Sequence, residues 1–178
     1  MSCEDNKRLC RRFIETIFNQ GEMSVIWDFV AADALNHELD ALGDARSVQG
    51  RSPAWMADLA YLYRRAFPDL HLAIGDQVAE GDSVVTNLRM TGTHRQPLMT
   101  IAASGQAIDV SGIRIDHIAD GKIAESWFHL DSLTLLRQIG ALPPLNRKPT
   151  VETEPATLPG VPLPAFFPRE EMRAVAVS

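Results

Sequence analysis

The stretch ADGKIAESWFHLD, residues 119–131, combines a turn, an alternating strand and the start of a helix. Residues 119–121 are a turn signal, and the residues after them alternate as a strand with two different faces does. Asp131 is followed by a serine and an apolar helical pattern, which is typical of a helix N-cap. Because Glu125, His129 and Asp131 can all exchange a proton, this stretch bears on both the fold and the site.

Helical patterns dominate the first part of the chain. Residues 5–21 place an apolar stripe on one helical face, with Asp5 or Asn6 as the predicted cap and Gly21 as the predicted end. A short helix is predicted over 23–31, with Ser24 as its N-cap, and residues 32–50 read as a loop with short extended pieces. Ser52 and Pro53 then begin a long helix that stops before Pro68.

Strand patterns follow over residues 69–80, 82–94, 106–119 and 122–130. A final short helix is predicted from Asp131 to Gly140. Helices, then an antiparallel meander, then one helix predict an α+β domain over residues 1–142, with the helices on one face of a curved sheet.

Residues 143–178 hold eight of the eleven prolines and predict an extended C-terminal arm. Its apolar stretch, LPAFFP, is expected to place Phe166 and Phe167 against this subunit or a partner subunit. The alternative is a mobile tail.

Composition excludes several classes of function. The 178-residue chain has a net charge of −6 and no clustered basic patch, so neither nucleic acid nor an anionic membrane is an expected partner. No apolar run is long enough to span a membrane, and the polar start lacks a signal peptide, so a cytoplasmic location is expected. The two cysteines and five scattered histidines lack the spacing of metal ligands, so no metal site is predicted. The sequence has no nucleotide-binding or serine-hydrolase motif, and no cofactor is predicted.

Four segments together resemble the SnoaL-like polyketide cyclase and ester cyclase family, a branch of the nuclear-transport-factor-2-like fold. They are residues 11–37, 65–94, 111–127 and 131–140, in that order, within a match over about residues 7–141. The resemblance implies a cone: a curved antiparallel sheet wrapped around a long helix, with an apolar pocket inside its mouth. It also implies relatives with aldol-type cyclase, isomerase or epoxide hydrolase activity, so the fold alone constrains function weakly.

The hairpin predicts which side chains share a face. A three-residue loop would pair Arg114 with Ser126 and Gly112 with Phe128. The opposite face would carry Ile113, Ile115, His117, Ile123, Glu125, Trp127 and His129. In anthracycline-type cyclases of the family, the acid/base aspartate matches Phe128 and a nearby histidine matches Arg114. The resemblance therefore implies that the Phe128 face lines the pocket and that the family's acid is missing.

The catalytic candidates are His37, Arg114 and Asp131. His37 follows Asn36 at the family's pocket mouth and could relay a proton, or could be a loop histidine tied to backbone. Arg114 could bind a substrate oxygen or form an internal ion pair with Asp116 or a helix carboxylate such as Asp58. For Asp131 the helix cap is favoured over catalysis.

The substrate-binding candidates are Asn36, Trp55, Tyr61 and Phe128, although aromatic residues on the long helix are more often core. The opposite face, with Glu125, Trp127 and two histidines, is expected to form a homodimer interface. Met99 and Ile101 could lie over the pocket mouth as a lid.

Two functions follow as hypotheses. The first is a cofactor-independent aldol-type cyclase or isomerase acting on a hydrophobic carbonyl compound, with His37 moving the proton and Arg114 stabilising the enolate oxygen. The second is a non-catalytic protein that binds a small hydrophobic ligand in a pocket without the acid.

Overall fold

The computed structural model describes residues 2–39 and 47–143. Helices are α1 (Cys3–Phe13), which continues into a π-helical segment (Ile14–Gln20), then a 3₁₀ turn (Met23–Val25), α2 (Ile26–Phe29), α3 (Pro53–Ala66) and α4 (Ser132–Gln138). Strands are β1 (Val30–Leu39), β2 (Ser47–Arg51), β3 (His71–Glu80), β4 (Ser83–Thr93), β5 (Ala107–Ala119) and β6 (Lys122–Leu130). The predicted arm beyond residue 143 lies outside the described residues.

The described strands form one curved sheet in the order β2-β1-β6-β5-β4-β3. The α+β cone predicted from the sequence is confirmed, with α1, its π-helical continuation and α3 covering the inner face of the sheet. The sheet is mixed rather than wholly antiparallel, because β1 pairs with β6 in parallel. That pairing was not predicted, since residues 32–50 read as a loop from the sequence, whereas residues 32–39 and 47–50 form most of β1 and β2.

The predicted N-caps of the first two helices were wrong. Ser2, and not Asp5 or Asn6, caps α1, while the Asp5 side chain accepts a bond from the Ser2 backbone to complete a capping box. Ser24 lies inside the 3₁₀ turn and does not cap α2. Gly21 does end the first helix, in the left-handed conformation with φ +78°.

The β5–β6 hairpin has a shorter turn than predicted. Ala119 pairs with Lys122, so the loop holds Asp120 and Gly121, both with positive φ, as a type I′ turn requires. A bulge at Ala124 then shifts the register, and Arg114 lies opposite Phe128 instead of Ser126. A slip of two residues keeps each side chain on its face, so the predicted faces survive except at Ile123, which the bulge brings into the core.

Candidate functional site

Polar side chains cross the inner face of the sheet in two neighbouring rows. The strand registers place Gln77, Thr86 and Arg114 in one row and Asp116, Ser126 and Asn36 in the next. All but Gln77 are at most 3% exposed. Because helices cover this face, these hydrogen-bonding groups lie in the interior of the cone. A core that served packing alone would be apolar there.

Arg114 and Asp116 form a buried ion pair in this interior. Arg114 Nε donates to Asp116 Oδ2 at 2.9 Å, and Nη2 lies 2.8 Å from Oδ1. The guanidinium also lies over the Phe13 ring, 4.6 Å from its centroid, and its Nη2 is 4.0 Å from the Met56 sulfur. Of the partners considered for Arg114 from the sequence, Asp116 is therefore the one it contacts.

The thiol of Cys10 lies beside the same pair. Burial raises the pKa of Cys10, and the Asp116 carboxylate raises it further, so the thiol stays protonated. Cys10 therefore contributes packing and a weak donor next to Asp116, and no nucleophile.

Three buried side-chain oxygens in the two polar rows have neither a hydrogen-bond nor an ion-pair partner among the described residues. One is Gln77 Oε1, in the row of Arg114. The other two are Asn36 Oδ1 and Ser126 Oγ, on residues that face each other in the parallel pairing of β1 with β6. Leaving a buried polar atom unpaired costs about 1–3 kcal/mol, so such atoms call for an explanation such as a ligand or a bound water. Ser126 was not identified from the sequence, because an isolated serine in a strand carries no signal until its surroundings are known.

Phe128 points into the cone, as the resemblance implied. Its ring is 3% exposed and borders a hollow that holds only about 170 Å³ of space not filled by atoms. The other residues around the hollow are Ile14, Phe18, Leu72, Leu88 and Arg114. Since ligand pockets usually measure about 300–1,000 Å³, a polyketide-sized ligand requires these side chains to move.

His37 lies on the outer face of the sheet. Its Nε2 is 2.7 Å from Glu125 Oε1, and its ring stacks on Trp127 with the centroids 4.6 Å apart. His117 approaches the other oxygen of Glu125 at 3.4 Å and meets Trp127 edge-on. Because neighbouring strand residues point to opposite faces, Asn36 faces inward and His37 outward.

The structure therefore does not bring His37 together with Arg114. The predicted position of His37 at the pocket mouth is corrected to the outer face, beside Glu125, Trp127 and His117, where the sequence placed a dimer interface. Whether His37 is catalytic stays a prediction.

Asp131 caps α4. Its Oδ1 accepts from the backbone N–H of Thr134 at 3.0 Å, and this bond lowers the pKa of Asp131. The side chain also borders an open groove of about 600 Å³ on the outer face, where Arg89 and Asp109 form a two-pronged ion pair. The predicted cap is confirmed, and the cap lies on the opposite side of the sheet from the inner polar rows.

The aromatic candidates on α3 are spread around the helix. Tyr61 is 61% exposed and Trp55 is half-buried, whereas the inward stripe is Met56, Ala60 and Tyr63. In the segment after β4, Leu98 is fully buried while Met99 is half-exposed, and neither Met99 nor Ile101 borders the inner hollow. No group of three histidine, cysteine or acidic residues within residues 2–39 and 47–143 could hold a metal ion.

A curved sheet around a helix, with polar side chains buried inside, defines a protein of the nuclear-transport-factor-2-like class. The family described as SnoaL-like polyketide cyclase matches residues 8–139, and the chain belongs to this family. The SnoaL-like resemblance noted in the sequence is thereby confirmed.

Solved structures agree with this membership. TsrD from Streptomyces laurentii is 26% identical with a TM-score of 0.69, and the match covers 80% of this chain and 99% of TsrD. AclR, a candidate hydroxylase from Streptomyces galilaeus, is 26% identical with a TM-score of 0.69 over 82% and 87% of the two chains. IdmH, a candidate polyketide cyclase from Streptomyces antibioticus, is 25% identical with a TM-score of 0.66 over 76% and 98%. Among curated proteins no match is found.

Proposed function

We propose that this protein is a small-molecule enzyme that moves a proton without a cofactor. The reaction would be an aldol-type cyclisation, or a related isomerisation, of a hydrophobic polyketide-like carbonyl compound. One observation carries the proposal: two unpaired buried oxygens, on Asn36 and Ser126, lie beside a buried carboxylate and guanidinium on the inner face. Family membership supports the class of substrate.

The proposed roles follow from the chemistry of each group. The carboxylate of Asp116 takes a proton from the carbon between two carbonyl groups, and the electrons of that C–H bond form an enolate. An N–H of Arg114 stabilises the enolate oxygen. The enolate carbon attacks a third carbonyl, further along the same molecule, to form a C–C bond, and the alkoxide that results takes the proton from Asp116.

The proposed base also restricts the substrate. Any carboxylate is a weak base. It can remove a proton only from an activated carbon, such as the one between the two carbonyls of a β-diketone or β-keto ester. Asn36 and Ser126 would bind a further oxygen-bearing group of the substrate and fix its orientation.

A second candidate function is ligand binding without catalysis. Phe128 at the position of the family's aspartate and the small hollow favour it, because neither helps a proton to move. The two functions differ in what happens after binding: an enzyme changes the compound, and a binding protein releases it intact.

The experiment compares the two faces of the sheet. Wild type, Asp116→Asn, Ser126→Ala and His37→Gln are assayed for binding and for turnover of a panel of polyketide-like β-keto methyl esters. The proposal expects wild-type turnover, its loss in Asp116→Asn with binding retained, and normal turnover in His37→Gln. Loss of turnover in His37→Gln alone would give His37 the catalytic role predicted from the sequence and would move the chemistry to the outer face. Binding without turnover in wild type would favour the second function.

The proposal includes a homodimer through the outer face and, as a prediction only, a cytoplasmic location. Val78, Val85, Ile115 and Trp127 lie opposite one another across four strands, and Val78 is 67% exposed. A continuous apolar row of this kind suits an isologous contact with a second copy. Val85→Lys should then give a monomer by light scattering, whereas Val25→Lys, a change of the same kind on another part of the molecule, should not.

No helix in residues 2–39 and 47–143 is long and apolar enough to cross a membrane.

A further inference from the structure

His94 lies at the point where β4 runs into the long connection to β5. Its ring is fully buried and packs against Phe67, with the centroids 5.3 Å apart. The connection, residues 95–106, is called the strap here. The buried ring therefore lies at the base of the strap.

Hydrogen bonds around His94 close the base of the strap. The backbone N–H of Ser104 donates to His94 Nδ1 at 3.3 Å, and the Ser104 hydroxyl oxygen is 3.1 Å from the same nitrogen. The backbones of His94, Gly105 and Gln106 add two further bonds of 2.9 Å. Because Nδ1 accepts from an N–H group, it carries no proton, so the neutral ring has its proton on Nε2.

The rest of the strap lies outside the strand pairing of the sheet. The N–H groups of Arg95 and Gln96 both donate to the carbonyl of Ala66, and Leu98 is fully buried and paired with Ile101 through two backbone bonds. Between them Met99 has a φ of +51°, which is unfavourable for a residue other than glycine. Because the strap is not part of the strand ladder, it can open without breaking the pairing of the sheet.

The surroundings of His94 do not favour a charged ring. Burial lowers the pKa of His94, and its Nε2 is buried without a partner in the described part of the chain. Arg65, Asp69 and Arg95 lie close in the chain to the residues that contact His94, and the titratable His71 pairs with Thr91 on the adjoining strand β3. Asp69 accepts from the backbone N–H and the hydroxyl of Thr93, each at 2.7 Å, and none of these four residues has a hydrogen bond to the His94 ring.

We propose that His94 is an acid-sensitive latch, and that protonation of its ring releases the strap while the rest of the domain stays folded. A protonated ring has a donor at Nδ1. The Ser104 hydroxyl can turn to accept from it, but the Ser104 backbone N–H loses its acceptor and an unpaired positive charge remains buried. Opening the strap lets water reach both groups.

The sign of the pH dependence follows from linkage. The pKa is lower in the closed form than in the open form, so the open form binds more protons as the pH falls below the ordinary value of 6.5. Closure is complete above that value. Below it, the opening equilibrium should rise about tenfold per pH unit until the closed ring also takes up a proton.

Amide hydrogen exchange between pH 7.5 and 4.5, corrected for the intrinsic effect of pH, tests the latch. In wild type, Ser104, Gly105 and Gln106 should lose about tenfold protection per unit below pH 6.5, while β5 stays protected. His94→Asn is the matched variant, because an asparagine oxygen can accept from Ser104 and does not titrate. Its strap should show no such loss.

Protection in wild type that is unchanged down to pH 4.5, an equal loss in His94→Asn, or loss of β5 protection in step with the strap would overturn the latch. If His94→Asn does not fold, the ring of His94 and the Ser104 amide are titrated by NMR in wild type. The latch requires one shared midpoint, and two unrelated midpoints would overturn it.

Discussion

Ser126 and Asn36 lie directly opposite each other in the parallel pairing of β6 with β1, and a side-chain oxygen of each is buried without a partner in the described structure. Stability alone gives no reason for this arrangement, since an alanine at 126 would remove one of the two unpaired oxygens. A ligand that donates to these oxygens does give a reason. Stability and binding should therefore respond in opposite directions when one of the oxygens is removed.

Ser126→Ala is expected to leave the free energy of unfolding unchanged or to raise it by about 1 kcal/mol, because it removes an unsatisfied buried hydroxyl. Affinity for a polyketide-like ligand should fall about tenfold, which is the loss of one hydrogen bond. Urea unfolding and calorimetric titration measure the two quantities. Ser111→Ala, at an exposed position of β5, is the control and should change neither. A clear loss of stability in Ser126→Ala would show that the hydroxyl is already satisfied within the protein.

Removing one partner of the buried pair Arg114–Asp116 should lower the free energy of unfolding strongly, whereas replacing both partners by apolar residues should lower it little. Asp116→Asn leaves a buried guanidinium without its counter-charge and should lower the free energy of unfolding by about 3–5 kcal/mol. The double variant Arg114→Met with Asp116→Leu should recover most of that loss, because it removes both charges.

The exposed pair Arg89–Asp109 is the comparison, measured by the same denaturant unfolding. Asp109→Asn should change stability little, because both side chains are solvated and water screens their attraction. Equal costs for Asp116→Asn and Asp109→Asn would contradict the importance given to burial.

Strand alternation grouped the side chains into two faces, and the family resemblance indicated which of the two is the inner one. The predicted hairpin register was off by two residues, yet Arg114, Ser126 and Phe128 still share the inner face, since the side-chain period of a strand is also two. The single residue on the wrong face, Ile123, precedes a bulge that no local pattern announces.

The face of the sheet on which His37 lies could not be predicted from the sequence. Whether Asn36 or His37 points inward depends on how β1 pairs with β6, and two strands far apart in the chain leave no local trace of a parallel pairing. The unpaired oxygens of Asn36 and Ser126 could not be predicted for the same reason, because whether a buried atom has a partner depends on residues far away in the sequence. The family resemblance indicated the position of the lost acid, and alternation placed Asp116 on the same face as Arg114, but the sequence did not choose between an ion pair and a substrate oxygen for Arg114.

Phe128→Asp should restore a carboxylate where the family has one. The Phe128 ring lies opposite Arg114 in the pairing of β5 with β6, so a carboxylate there would have a cation across the strands. We expect turnover of β-keto methyl esters to rise, measured under conditions where the variant is folded, since losing a buried phenyl ring costs about 3–5 kcal/mol. Phe128→Asn has the same size and cannot move a proton. If the asparagine variant is equally active, the gain comes from the added space and not from the acid.

Variants of Asp131 test whether this residue has a structural or a catalytic role. Its pKa is lowered by the bond from Thr134, so the cap contributes stability above the ordinary carboxyl value of 3.8 and loses it as the pH falls through the lowered pKa. Asp131→Ala should cost about 1 kcal/mol at pH 7, whereas Asp131→Asn, which still caps the helix, should cost less and should show no loss of the cap with acid. Thermal unfolding of wild type and of Asp131→Asn between pH 7 and 3 measures this difference. Turnover should be normal in Asp131→Asn, because the carboxylate lies on the outer side of the sheet and its charge serves α4. A loss of turnover in Asp131→Asn at unchanged stability would instead make Asp131 the acid that the sequence first suggested.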